Sequence, residues 1–471
     1  MCRSANWGFG SSMSVARVVC WAGPDEDVAA WEVMETVLRS VLRLPDRILE
    51  PYLWKARPDW GPGYDFTILI PASCGNANFS LPRQGFLSLS TPKPQHGRLL
   101  HLDVLRGLAA LAVVYGHLAE YVFFPHWSPD WKGVVTPQMG WAHHPAERWV
   151  AEAFRGWVDC GKVGVILFFA LSGFVIHYSL SERRRKPIAT FVVRRFCRIY
   201  PAYWASLLLA LVLVLVDWMP RNPDGQWAQF LVNATMLQEF VGVTNVMGVY
   251  WTLAIELAFY VSCGILFLIG FMQRPGFRLA ASIGFLLMAL AGSIVAWQMD
   301  RRLPLAPGLA LSIMFWATLW QGWILDSDRR CLVLSRIGLV SILLLIPVIT
   351  LLGYNSPEET FTGGIGWRYM GSYLVAFILF VIYTRGFRNR VWGPAPLVWL
   401  GTISYSLYLM HTLVMYAGEA SGVMQWMKQY PPTVYFLLVI VVSIGVSFLT
   451  WYLIERTFQR LARRWTPWES R

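Results

Sequence analysis

From Leu105 onward the chain repeats apolar segments close to the length that crosses a bilayer, ten in all. They cover approximately 105–124, 163–180, 202–219, 249–272, 279–297, 309–325, 333–352, 370–384, 397–417 and 434–453. A hydrocarbon core about 30 Å thick needs roughly 20 helical residues, and lipid leaves backbone polar groups no partners outside the helix itself. The expected fold class is therefore all-α: a polytopic membrane protein with about ten transmembrane helices. With 56% hydrophobic and 14% charged residues, and a mean hydropathy of +0.44, an ordinary soluble domain is excluded. The 25 Trp and 19 Tyr suit aromatic belts at the two interfaces.

A net charge of +12 raises nucleic acid as a partner, but the cations sit in short loops between spans, where topology explains them. Arg183–Lys186, Arg194, Arg195 and Arg198 crowd the loop between the second and third segments. Arg274, Arg278, Arg329, Arg330, Arg385 and Arg388 continue the pattern on the same side, and the opposite loops carry fewer. Both termini are then expected in the cytoplasm, with the first span running outward. No signal peptide is visible, so insertion would depend on that span. The seven cysteines form no CxxC and no cluster with histidine, so neither a metal site nor a disulfide framework is expected.

Three regions follow. Residues 1–97 are polar and rich in Gly, Pro and Ser, and read as a poorly ordered extension without catalytic chemistry, or as an artefact of too early a start codon. One amphipathic helix, Glu26–Leu44, is expected in it. Residues 98–458 form the membrane domain and 459–471 a basic cytoplasmic tail. Residues 227–241 are moderately apolar and suggest an interfacial or re-entrant piece.

Ionisable residues inside lipid are costly and mark function. Arg106 and His117 lie on one apolar stretch eleven positions apart, about three helical turns, so they share a face and are separated by ~16 Å along the axis. His117 falls ~18 Å into the first span, and Glu256 ~10 Å below the opposite surface. His411 maps to the same level. A neutral imidazole is a suitable general base, and a neighbouring carboxylate can fix its tautomer; Glu256 is the candidate for that partner. The bland alternative is that each residue satisfies a polar group on a neighbouring helix. Arg194 and Arg198, at i and i+4 with Arg195 between them, suit phosphates of a cofactor or of lipid headgroups, or simply obey topology. Ser172, in Leu171-Ser172-Gly173, reads as a small packing residue.

Together these segments resemble the acyltransferase-3 family of integral membrane acyltransferases. The resemblance runs through Leu102-Asp103-Val104-Leu105-Arg106-Gly107-Leu108 with His117, Phe168-Phe169-Ala170-Leu171-Ser172-Gly173-Phe174 and Arg194-Arg195-Phe196-Cys197-Arg198-Ile199-Tyr200-Pro201. It ends with Trp251-Thr252-Leu253-Ala254-Ile255-Glu256 and Ser404-Tyr405-Ser406-Leu407-Tyr408-Leu409-Met410-His411. It implies transfer of an acetyl or other short acyl group from acyl-CoA to a carbohydrate hydroxyl, in the bacterial cytoplasmic membrane. Catalytic roles are implied for Arg106, His117 and Glu256, and binding of the donor's phosphates for Arg194, Arg195 and Arg198. Trp251, Tyr405 and His411 are then expected to face the acceptor, a carbohydrate or glycolipid. Acyl-CoA, acetyl-CoA foremost, enters as donor substrate rather than as a resident cofactor. Ile166 departs from the family, many members of which have Asp there. With the chain ending soon after the tenth span, a single component or one relying on a separate periplasmic partner is expected. The competing reading from the residues alone is a proton-coupled secondary transporter of a glycan or lipid conjugate.

Overall fold

The computed structural model describes residues 8–10, 13–20, 64–71, 100–123, 152, 156–180, 186–221, 225–355, 364–388 and 392–466. The chain divides into two units, Met1–Gln95 and His96–Arg471. In the first, β1 (Gly8–Gly10), β2 (Met13–Cys20) and β3 (Tyr64–Pro71) form an antiparallel sheet in that order, with Val15 opposite both Gly8 and Leu69. The sequence reading anticipated no sheet there. Its expected helix Glu26–Leu44 lies outside the described residues, as does the tail beyond residue 466.

The second unit is all-α among its described residues, and each of the ten apolar segments falls on a long helix. These are α1 (Leu100–Phe123), α2 (Cys160–Ser179), α3 (Pro187–Leu215), α6 (Trp251–Leu268), α7 (Pro275–Met299) and α8 (Ala306–Ile324), then α9 (Arg329–Tyr354), α10 (Ile365–Gly386), α11 (Ala395–Ala420) and α13 (Pro432–Thr450). Short α4 (Gln226–Ala234) and α5 (Gln238–Val241) occupy the expected interfacial piece. After α12 (Val423–Met427), α13 runs through a π-helical turn, Trp451–Glu455, into α14 (Arg456–Trp465). Of the basic residues expected in that loop, Arg194, Arg195 and Arg198 lie in the first half of α3, which continues through Pro201 into its apolar half, and Arg183–Arg185 lie outside the described residues.

Among the described residues, eight helices are individually long and apolar enough to cross a membrane. Helix α8 is not among them, for a physical reason. Every residue from Gly308 to Ile324 is buried by neighbouring helices, so it faces protein rather than lipid and tolerates Trp and Gln. Its indoles are satisfied internally: Trp316 donates to the Ser335 carbonyl at 2.9 Å and Trp320 to the Thr384 hydroxyl at 2.8 Å. By contrast α7, α9 and α13 leave Leu287, Leu344 and Val441 half or more exposed, as lipid-facing helices do.

Helix α1 meets its neighbours backbone to backbone. A Cβ on Gly116 would lie 2.3 Å from Gly161 N in α2, and one on Gly164 2.4 Å from Ala109 O. On the other side, a Cβ on Gly401 of α11 would lie 1.9 Å from Asp103 O. Without a hydrophobic drive between helices in lipid, such small-residue contacts supply the packing. Gly401→Ala should therefore force α1 and α11 apart and cost roughly 1–3 kcal/mol or more, the range for overpacking. Gly445→Ala in α13, where a Cβ meets nothing within 4 Å, is the control and should leave the melting midpoint in detergent unchanged or raise it.

Candidate active site

Helices α1, α2, α3, α6 and α11 line an open cavity whose free space, solvent at its mouth included, is about 740 Å³. Three guanidinium groups, from Arg106, Arg195 and Arg198, line it, together with one carboxylate, Glu256. Positions 165, 168, 169, 171, 172 and 175 of α2 and 404, 405 and 408 of α11 also face it. Such spacing places one stripe of each helix on the cavity.

The cation-rich end is held by a polar chain. Ser172 Oγ donates to Glu256 Oε1 at 2.8 Å, Tyr260 donates its hydroxyl to the same carboxylate, and Arg195 donates to the Tyr260 oxygen at 3.2 Å. Arg106 pairs with Asp103 at 3.1 Å, and Tyr405 donates to the Ile199 carbonyl at 2.9 Å. Of the expected basic cluster, Arg195 and Arg198 reach the cavity with Arg106, whereas Arg194 is not among the cavity residues.

His117 and His411 meet beyond the opposite end, and neither is among the cavity residues. Their rings are parallel to within 7° with centroids 5.1 Å apart and meet edge to edge, His117 Nδ1 lying 2.8 Å from His411 Nε2. His411 Nδ1 is 3.0 Å from the Leu407 carbonyl, which can only accept. The proton on a neutral His411 therefore sits on Nδ1, leaving Nε2 as an acceptor. His117 must then donate from Nδ1, which leaves its own Nε2 with a free lone pair. One backbone carbonyl thus sets the tautomer of two rings, and no carboxylate is required. The register follows from the glycine contact: α1 and α11 run parallel, and His117 follows Gly107 by the same ten residues by which His411 follows Gly401. Tyr408, which lines the cavity, packs its ring 6.2 Å from His411 and so joins the two ends.

Helix α2 serves as a ruler between them. Gly116, beside His117, touches Gly161; Glu256 bonds Ser172, eleven residues further along α2. That interval is ~16 Å of helix, so Glu256 is not at the level of His117. The expected Glu256–His117 pairing is replaced by His411 on one side and by the Ser172–Tyr260–Arg195 chain on the other. The error has a local origin. Segment 225–250 folds back along α3, where Tyr203 and Trp204 donate to the Asn233 and Ala234 carbonyls at 2.7 and 2.9 Å. Counting residues from the start of α6 therefore does not measure depth from the membrane surface. Trp251 stands apart from the cavity stripe, 6.3 Å edge-on to Phe169 and 5.9 Å from Lys162 Nζ.

A sequence profile of the acyltransferase domain that defines the acyltransferase-3 family matches residues 99–452, three-quarters of the chain. The chain belongs to the acyltransferase-3 family. It is 25% identical to the acyltransferase MdmB of Streptomyces mycarofaciens over 79% of this chain and 95% of that protein. It is 25% identical to the peptidoglycan O-acetyltransferase OatA of Listeria monocytogenes over 54% of this chain, spanning less than half of that relative's length. Nodulation protein 10 of Rhizobium leguminosarum is 26% identical over 36% of this chain. No solved structure matches. The protein is an O-acyltransferase with a membrane-embedded domain.

The acyltransferase carries a charged cluster near His117 that sequence reasoning missed. Arg368 of α10 bridges Glu120, three residues beyond His117 on α1, and Asp159, the N-cap of α2, at 2.7 Å for the latter. Asp159 also accepts from the Lys162 N–H at 2.9 Å, and its own N–H donates to Ser372 at 2.8 Å. Only the i, i+3 spacing of His117 and Glu120 could have hinted at it. Burial works to raise the Asp159 carboxyl, but Arg368 and then Lys162 outweigh it and hold it below the ordinary range. A depressed carboxylate stabilises the fold fully above its unfolded pKa, and that stabilisation fades as pH falls. Arg368→Gln should therefore lower stability at pH 7 by on the order of 3 kcal/mol, as for other broken buried pairs. In thermal unfolding, the gap between wild type and variant should narrow below about pH 4.

Proposed function

We propose that this enzyme moves an acetyl or other short acyl group from cytoplasmic acyl-CoA to a hydroxyl of a carbohydrate or glycolipid on the far side of the bacterial cytoplasmic membrane. The observation that carries the reading is the cavity itself, with an excess of guanidinium groups at one end and a paired imidazole beyond the other. Guanidinium forks bind phosphate oxygens bidentately, so Arg106, Arg195 and Arg198 suit the phosphates of coenzyme A. The excess of cations in the loops on their side supports a cytoplasmic position for that end and for both termini. From there the pantetheine arm would run along the stripe formed by Phe169 and Tyr408 and present its thioester near His117, ~16 Å away.

His117 Nε2 takes the proton of the acceptor hydroxyl as the oxygen attacks the thioester carbonyl. The resulting imidazolium returns that proton to the departing thiolate. His411 holds the ring and its tautomer, and accepts the Nδ1 proton's hydrogen bond throughout. Glu256 acts at the cationic end, where through Tyr260 it orients Arg195. The acceptor class rests on the relatives: one is named for O-acetylation of peptidoglycan, a glycan polymer.

The test uses the purified chain in detergent with acetyl-CoA and a panel of bacterial glycans. His117→Ala should reduce acyl transfer by ~10²–10⁴-fold, the usual contribution of general-base catalysis, with acetyl-CoA affinity unchanged. Joint Arg195→Gln and Arg198→Gln should instead weaken acetyl-CoA binding. Full transfer by a well-folded His117→Ala protein would overturn the mechanism, and undiminished affinity in the double variant would remove the phosphate assignment.

A further inference from the structure

Helix α2 carries a lysine just outside its cavity residues. Lys162 stands one turn before Val165, the first residue of α2 that lines the cavity, and is not itself part of the lining. It lies at the margin of that face, toward the His117 end. Its level is fixed independently. Gly161, its neighbour in sequence, lies against Gly116, the neighbour of His117. The two side chains thus leave adjacent helices from touching backbone positions.

The surroundings of the ammonium group are unusual for a lysine at this depth. Its Nζ sits 3.7 Å from the ring centroid of Tyr369 and 5.9 Å from that of Trp251. Tyr354 backs Tyr369 edge-on at 4.7 Å. Among the described residues no carboxylate lies within ion-pair distance of it. The nearby acids are already engaged: Arg368 holds both Glu120 and Asp159, and Asp159 also caps α2. Lys162 takes no carboxylate in a salt bridge of its own; its ammonium is held by the Tyr369 side chain, in the field of Asp159, and by aromatic faces.

We propose that Lys162 neutralises the oxyanion formed at the thioester carbonyl during acyl transfer. The inference rests on the acyl-CoA reading given above. As the acceptor oxygen bonds to the carbonyl carbon, the π pair of the C=O bond moves onto the carbonyl oxygen, and His117 Nε2 takes the acceptor proton. Lys162 donates an N–H to that oxygen and carries the balancing charge. When the C=O bond re-forms, the C–S bond breaks, the thiolate leaves with the proton from His117, and Lys162 returns to Tyr369. Without it the site would form a negative oxygen in a low-dielectric environment with its other cations ~16 Å away at the Arg106 level or locked in the Arg368 clamp. Loss of a single oxyanion donor typically costs 10²–10³-fold in rate.

The experiment needs no identified acceptor, because water attacks the same carbonyl. The purified full-length chain in detergent is given acetyl-CoA alone, and release of the free thiol is followed beside direct binding of acetyl-CoA. Lys162→Met should lower the hydrolysis rate at saturation by about 10²–10³-fold, with the dissociation constant of acetyl-CoA within twofold of wild type. Lys162→Arg, which keeps the charge, should recover at least a tenth of the lost rate and shows that a poor Met variant is not merely misfolded. Wild-type hydrolysis by Lys162→Met overturns the proposal. So does a Met variant that loses rate only through weaker acetyl-CoA binding, or an Arg variant no better than Met. His117→Ala separates the two levels of inference: if it is inactive while Lys162→Met is fully active, only the oxyanion role falls. A wild-type chain that neither binds nor cleaves acetyl-CoA removes the underlying reading and this inference together.

Discussion

The position of His117 depends on backbone contact, not on side-chain fit. At Gly116 the first helix of the membrane unit touches the second, and at Gly107 and Gly401 it touches the eleventh. A Cβ at any of these points would meet backbone atoms at 2.9 Å or less. In lipid, where apolar burial does not discriminate helix from solvent, close approach gives dispersion contacts that longer side chains would prevent. The same approach fixes register. With Gly107 against Gly401, two imidazoles ten residues further along parallel helices meet edge to edge. A single methyl group at the contact would separate the rings that the Leu407 carbonyl orients.

Much of the architecture was legible because lipid imposes one length scale on every spanning element. All ten apolar segments fall on helices, including α8, whose composition is marked by Trp and Gln because it is wrapped by protein. The Arg106–His117 spacing translated directly into one stripe, since both residues lie on a single helix. What failed was comparison of depth between helices. Glu256 and His117 were assigned one level by counting from predicted helix ends, and the ends are not coplanar. The segment before α6 is drawn along α3 by Tyr203 and Trp204, a tertiary arrangement no residue count contains. Glycine contacts are the better ruler, although sequence alone does not say which glycines touch.

The charged residues of the membrane unit follow a consistent division. Where charge is structural it is closed on itself, as in the Arg368 bridge between Glu120 and Asp159 that ties α10 to α1 and to the cap of α2. Around the cavity the cations face the lumen, three guanidiniums and the carboxylate of Glu256, while Asp103, paired with Arg106, and Glu455, in the field of Arg198, lie outside the lining. A buried cluster that balances costs little beyond its desolvation, and one whose cations face an open lumen can offer them to an anionic ligand.

That division also explains why the two ends are ~16 Å apart rather than adjacent. Beside three guanidiniums an imidazole would be a poor base, since every nearby positive charge opposes its protonation. Eleven residues of α1 remove it from that field while keeping it on the same stripe, to a level where the carboxylates of Glu120 and Asp159 accompany Arg368 and Lys162, and His411 orients it as a neutral partner. Had Glu256 stood beside His117, the ring would have gained basicity but the arginine end would have lost the acid that, through Tyr260, aims Arg195. A long, thin donor substrate with phosphates at one end and its reactive carbon at the other is what such a separation can serve.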